Sequence, residues 1–195
     1  MRDDALGRAL VAMARHAIGA ELGVPDIDAV SASVDHPALA EPGATFVTLF
    51  TQTGLRGCIG TLEARRPLGV DVCANAAAAA FSDPRFPPLS KSEFPETLVE
   101  VSLLSAPEPI AAQSARSLLE ALRPGIDGLV LDYAGRRATF LPQVWESLPD
   151  PGDFLAELKR KAGLPADFWH SAIKASRYGV TKWREDDFRT EEMTP

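Results

Sequence analysis

Arg56 and Cys58 place a guanidinium and a thiol two residues apart in Leu55-Arg56-Gly57-Cys58-Ile59-Gly60, with a glycine directly after Arg56 and another closing the segment. In a regular strand, alternate side chains share a face, so Arg56 and Cys58 are expected to point the same way and Leu55 and Ile59 the other. A guanidinium beside a sulfur favours thiolate over thiol, which makes Cys58 a candidate nucleophile, redox thiol or soft ligand if it is partly exposed. Gly57 and Gly60 lack a Cβ and suit a bulge, or a place where a ligand or another backbone comes close. The same six residues also read as a glycine-kinked strand whose small thiol fills a tight gap.

Two more charged residues belong in this search. Arg85 lies in Asp83-Pro84-Arg85-Phe86-Pro87-Pro88-Leu89, where three prolines stiffen the loop and hold a side chain in place at little further entropy cost. It suits a carboxylate or phosphate, or equally a structural pairing with Asp83 or a carbonyl. Glu100 interrupts the apolar strand pattern of Thr97 to Ser105. Buried, it needs a partner such as Arg56 or Arg85 and supplies an acid or base; at a sheet surface it is only a solvated charge. None of His16, His36 or His170 stands in a context that marks it as the base for Cys58.

The surrounding elements follow from periodicity. Asp3 or Asp4 caps a first helix with Leu6, Leu10, Met13, Ala17 and Ile18 on its buried face, and 26–43 is a loop-rich connection. Ala44 to Thr51 and Leu55 to Leu62 form a hairpin across Gln52-Thr53-Gly54, and Pro67 opens a helix with a small apolar face that includes Cys73. Ser90-x-x-Glu93 resembles a capping box, and Thr97 to Ser105 is another strand. A helix from Ser114, a second hairpin over 128–141 and a helix from Asp150 or Asp153 to Gly163 come next. Arg177 to Trp183 is a final strand, and 185–195 is a fraying acidic tail.

A chain of 195 residues, 46% hydrophobic and 24% charged, fits one sizeable core or one domain with a smaller lobe. The net charge of −7 makes nucleic acid and anionic membranes poor default partners. No apolar run reaches the ~20 residues of a membrane span, and no signal-peptide pattern opens the chain, so the expected location is cytoplasmic. Cys58 and Cys73, with three scattered histidines, make no zinc signature, and no metal site is expected. Nothing in the sequence names a cofactor.

Several motifs in series carry a resemblance. Phe46-Val47-Thr48-Leu49, Leu55 to Leu62, Asn75-Ala76-x-x-Ala79-Ala80, Asp83 to Leu89, Glu100 to Ser105 and Ala138 to Trp145 together resemble the AMMECR domain family, whose prokaryotic members are called AmmeMemoRadiSam system protein A. The match runs in order from about 44 to 169, within a single domain taken as 1–195. It implies an α+β fold with an antiparallel sheet, flanking helices, and a larger and a smaller lobe. Through the system name it also implies an association with a Memo-type protein and a radical S-adenosylmethionine protein, and it brings no established reaction.

Two functions fit these residues. One is a ligand- or partner-binding subunit whose site is formed by Arg56, Gly57, Cys58, Gly60 and Arg85. The other is a small-molecule enzyme with Cys58 as nucleophile, Arg56 lowering its pKa and Glu100 as acid or base. A purely structural role for the motif is the third reading, and only the placement of these side chains separates them.

Overall fold

Helix α1 (Asp4–Glu21) starts where the Asp3 carboxylate accepts the Leu6 amide, satisfying one of the donors that a helix N-terminus leaves free. Its buried stripe of Leu6, Leu10, Val11, Ala14 and Ile18 faces one core, as the three- and four-residue spacing requires. In this computed structural model, residues 2–25 and 36–188 are described. Residues 26–35 of the expected 26–43 connection and 189–195 of the expected 185–195 tail therefore lie outside the described residues. Glu185–Phe188, expected to fray, instead form a 3-10 turn held by the pairs of Glu185 with Arg15 and Asp187 with Arg2. A two-residue ladder joins β1 (Pro42–Gly43) to β4 (Arg66–Pro67), bracketing the hairpin of β2 (Thr45–Thr51) and β3 (Gly54–Gly60).

The main sheet has the order β10-β5-β2-β3, with β5 at Leu98–Leu104 and β10 at Val180–Arg184. Val47 and Leu49 of β2 and Val99 and Val101 of β5 are fully buried in one core with α1 and α2 (Leu68–Phe81). Alternate residues Phe46, Thr48 and Phe50 project from the opposite face, only half-buried. The alanine-rich face of α2 lets the helix come close to the sheet. A Cβ added at Gly57 would lie 2.2 Å from the Ala79 carbonyl oxygen, so the glycine there is a packing requirement.

A second sheet has the order β6-β9-β7-β8, from β6 (Glu108–Ile110), β7 (Gly128–Tyr133), β8 (Arg136–Phe140) and β9 (Lys174–Tyr178). With α3 (Ala115–Ala121) and α4 (Pro151–Lys161) it encloses a separate core of Leu118, Leu129, Leu131, Phe154, Leu155 and Leu158. Trp145 stacks on Phe154 at 3.7 Å, and its indole N–H donates to the Asp127 carbonyl.

The chain thus forms two compact units, a larger one up to Leu104 and from Thr181 onward, and a smaller one from Ser105 to Val180. The α+β class, antiparallel pairing and two lobes are as expected. The expected final strand is really two: the chain breaks at Gly179, with β9 serving the smaller unit's sheet and β10 the larger unit's. The short β6 carries no alternation long enough to read, and a proline sits at its centre.

Candidate functional site

The hexapeptide Leu55 to Gly60 forms β3, an edge strand, and it carries a bulge. Leu49 pairs with Gly57 but Phe50 pairs with Leu55, so Arg56 has no partner in the ladder. This overturns the expected alternation. Leu55 now shares the Thr48 and Cys58 face of the sheet, whereas Ile59, paired with Val47, joins the core. The inserted residue turns the Arg56 side chain into a 3.0 Å ion pair from Nε to Glu93, and Arg56 is only 8% exposed.

Arg56 is therefore not available to the thiol in the way its spacing suggested. Its Nε and Nη2 both donate to the Glu93 carboxylate, and its buried Nη1 has no hydrogen-bond partner among the described residues. Glu93 also accepts from the Ser90 amide and hydroxyl, so the expected capping box exists and doubles as an anchor for Arg56. These bonds, Arg56 foremost, hold the Glu93 carboxyl down at about 2 against partial burial.

Cys58 is half-buried, and its backbone is held by a pair of side chains where a further strand would otherwise lie. Its amide donates to Asp83 Oδ2 at 2.8 Å, and its carbonyl accepts from Arg85 Nη2 at 3.4 Å. Arg85 also grips Asp83 through Nε and Nη2, at 2.9 and 2.7 Å. Asp83, 4% exposed, is kept ionised well below the ordinary carboxylate range, first by Arg85 and then, against burial, by the Cys58 and Arg85 amides. Arg85 is held above its ordinary range by hydrogen bonding to Asp83, opposed by desolvation and helped by the charge of Asp83 and, last, of Cys58. The guanidinium that reaches Cys58 is thus that of Arg85, and it reaches the backbone carbonyl.

The Arg85 side chain is 53% exposed, and its Nη1 makes no hydrogen bond among the described residues. The Phe86 ring is common to both arginines, 5.9 Å from Arg56 Cζ and 5.4 Å from Arg85 Cζ. On the other side of Cys58, Thr48 Oγ1 donates to Sγ at 3.4 Å. Thr48 pairs in register with both Cys58 and Glu100, so the three lie in one row across the sheet.

Glu100 is a correction. Two strand spacings, roughly 10 Å, separate it from Cys58, and its carboxylate meets Lys182 Nζ at 3.6 Å instead of Arg56 or Arg85. Gly60 is also occupied, since a Cβ there would lie 2.2 Å from the Phe46 ring. The structural pairing of Arg85 with Asp83 and a carbonyl, one of the two readings of that loop, is present. Glu93 and Thr48 are the members that sequence reading missed: Ser90-x-x-Glu93 was visible only as a local cap, and Thr48 only as a strand residue. Among the described residues, no three His, Cys, Asp or Glu side chains are grouped to hold a metal ion, and no helix is long and apolar enough to cross a membrane.

The AMMECR1 family profile matches residues 11–183, from within α1 to β10. The chain belongs to the AMMECR1 family. A protein of Sulfurisphaera tokodaii is 39% identical over 197 residues, covering 96% of this chain and 86% of that protein. A Methanococcus aeolicus protein is 41% identical over 137 residues, 68% of each chain. In three dimensions the chain is similar to the crystal structure of an uncharacterized protein from Pyrococcus horikoshii, with a TM-score of 0.74 and 33% identity over 95% of this chain and 94% of that one. The AMMECR1 match takes in every site residue described above.

Proposed function

We propose that this AMMECR1-family chain is a binding subunit that works with a Memo-type protein and a radical S-adenosylmethionine protein through the surface around Leu55–Gly60 and Arg85. The observation that carries this reading is the clamp on Cys58, where Asp83 and Arg85 fix both backbone groups of a half-buried thiol at a sheet edge. A fixed backbone lowers the entropy cost of receiving a partner or ligand.

The nearby carboxylates favour binding over catalysis. A general base works best with a pKa near the operating pH, yet Glu93 is held at about 2 and Asp83 is held low as well, each by its arginine. Glu100, the remaining candidate, faces Lys182. One observation favours the second reading, an enzyme with Cys58 as nucleophile or redox thiol: the Thr48 hydroxyl donates to the sulfur.

Co-elution with the Memo-type protein and with the radical protein, measured from low to physiological salt, tests the proposal. The wild type is expected to bind one of them, and Arg85→Ala to weaken that binding about tenfold, the equivalent of about 1.4 kcal/mol. Binding to neither protein at any salt would overturn it.

A further inference from the structure

The register of β3, at the edge of its sheet, fixes which of its backbone groups face outward. The Thr61 amide donates to the Thr45 carbonyl, while Gly60 and Cys58 stand opposite Phe46 and Thr48. Bonded and unbonded pairs alternate along an antiparallel ladder, so the N–H and C=O groups of Cys58 and Gly60 point away from β2. Such a row is a template for another strand, which proteins usually block with lysine, proline or a bulge. Here the bulge sits at Arg56, and Gly57 to Gly60 carries neither charge nor proline. The one charge of the strand, Arg56, is turned onto Glu93, and Leu55 is 42% exposed. Among the described residues, the outward groups of Gly60 have no hydrogen-bond partner, and those of Cys58 are taken by Asp83 and Arg85.

We infer that Asp83 and Arg85 stand in for a fifth strand of this sheet and close β3 to edge-to-edge pairing with a second copy of the chain. They match a neighbouring strand group for group. The Asp83 carboxylate takes the Cys58 amide at 2.8 Å in place of a carbonyl, and Arg85 Nη2 reaches the Cys58 carbonyl at 3.4 Å in place of an amide. A guard of this kind has to resist displacement. The Phe86 amide donates to the Asp83 carbonyl and the Leu89 amide to the Ala80 carbonyl, so the loop is tied at both ends. Leu89 is buried, and Pro84, Pro87 and Pro88 stiffen what lies between. The occupant kept out is a second copy, because an antiparallel pair about a two-fold axis at Cys58 sets each Cys58 amide against the other copy's Cys58 carbonyl, a contact complementary to itself. A partner that meets only side chains here leaves the guard in place, so the binding reading above stands or falls separately.

Cys58 itself reports such a contact. Across a pair centred on it, the two Cys58 Cα atoms would lie about 5.5 Å apart, within disulfide reach. Diamide serves as the oxidant: two thiols give up two protons and two electrons, an S–S bond forms, and the N=N bond of diamide is reduced to the hydrazine. Peptide mass spectrometry on the full chain reads links between two Cys58 residues against links through Cys73, and light scattering reads the mass. The wild type is expected to stay monomeric. The double variant Asp83→Ala with Arg85→Ala should join two Cys58 residues at least about tenfold faster, with a mass that rises with concentration. Arg85→Ala alone, which leaves the amide covered, should raise the rate by a smaller factor. A folded double variant that stays monomeric and links Cys58 at the wild-type rate would overturn the guard, as would a wild type that already pairs through Cys58. Unfolded chains would link through Cys73 as readily as through Cys58; if the double variant does so, an unchanged Cys58 rate in Arg85→Ala overturns the guard equally.

Discussion

At the scale of single residues, the site is held by charges that are already paired. Asp83 is almost fully buried, and its carboxylate serves the Cys58 amide, the Arg85 amide and the Arg85 guanidinium at once. Asp83→Ala is expected to cost about 1–3 kcal/mol, because it leaves the Cys58 amide without its acceptor. Hydrogen exchange at that amide should accelerate by more than exchange at Val47, which reports only the global loss of stability; an equal acceleration at both would contradict the clamp. Glu93 and Asp83 ionise more readily folded than unfolded, so below their ordinary values the unfolded chain binds more protons and stability rises with pH. Their contribution is complete above about pH 5 and is lost as pH falls through the folded values. Melting temperature should therefore fall between pH 5 and 2, and Glu93→Gln should flatten that fall; identical slopes in the two proteins would remove the Arg56 pairing from the account. The chemistry-bearing types at 56, 58 and 85 were legible from sequence, because guanidinium and thiol stand out in an otherwise apolar strand. The Arg85–Asp83 pairing was one of the two readings its loop allowed, but the Arg56–Glu93 pairing was not legible, because one bulged residue reverses the alternation on which any facing argument depends.

At the scale of elements, the edge strand is set by its contacts with α2. Gly57 meets the Ala79 carbonyl, a backbone atom that yields only if the helix moves. Gly57→Ala is expected to destabilise the protein by about 1–3 kcal/mol in urea unfolding, and a cost near zero would show that the strand and helix are less tightly apposed. The other fixing point is Asp71, 1% exposed, whose carboxylate accepts from the Thr45 amide and hydroxyl, the Thr61 hydroxyl, Arg66 Nε and Asn75 Nδ2. This lock ties α2 to both ends of the hairpin that presents Cys58. Asp71→Ala strands several buried donors together, and a loss of about 3–5 kcal/mol is expected on the same measurement. The helices and both hairpins could be read from period and caps. Asp71 could not, since an acidic residue in the first turn of a helix already has a sufficient local explanation in the helix dipole.

At the scale of the whole molecule, two separate cores divide the labour. Every residue assigned to the site belongs to the larger unit, and Phe154, stacked on Trp145, belongs to the core of the smaller one. Phe154→Ala should cost about 3–5 kcal/mol and reduce hydrogen-exchange protection across β7, β8 and β9. The two-lobe division followed from the family resemblance more than from composition, because no linker signal marks Leu104 or Thr181. The strand that passes from one sheet to the other reads as continuous for the same reason: only a single glycine, Gly179, stands at the break, and what differs on either side is the identity of the neighbouring strands. The account as a whole depends on the clamped thiol lying where the partner or its ligand arrives. Its most direct measurement is iodoacetamide footprinting of Cys58 with and without a saturating Memo-type or radical protein. The account predicts that one of these partners slows labelling at Cys58 at least about tenfold and leaves Cys73 unchanged; full-rate labelling of Cys58 in a complex shown to have formed would contradict it.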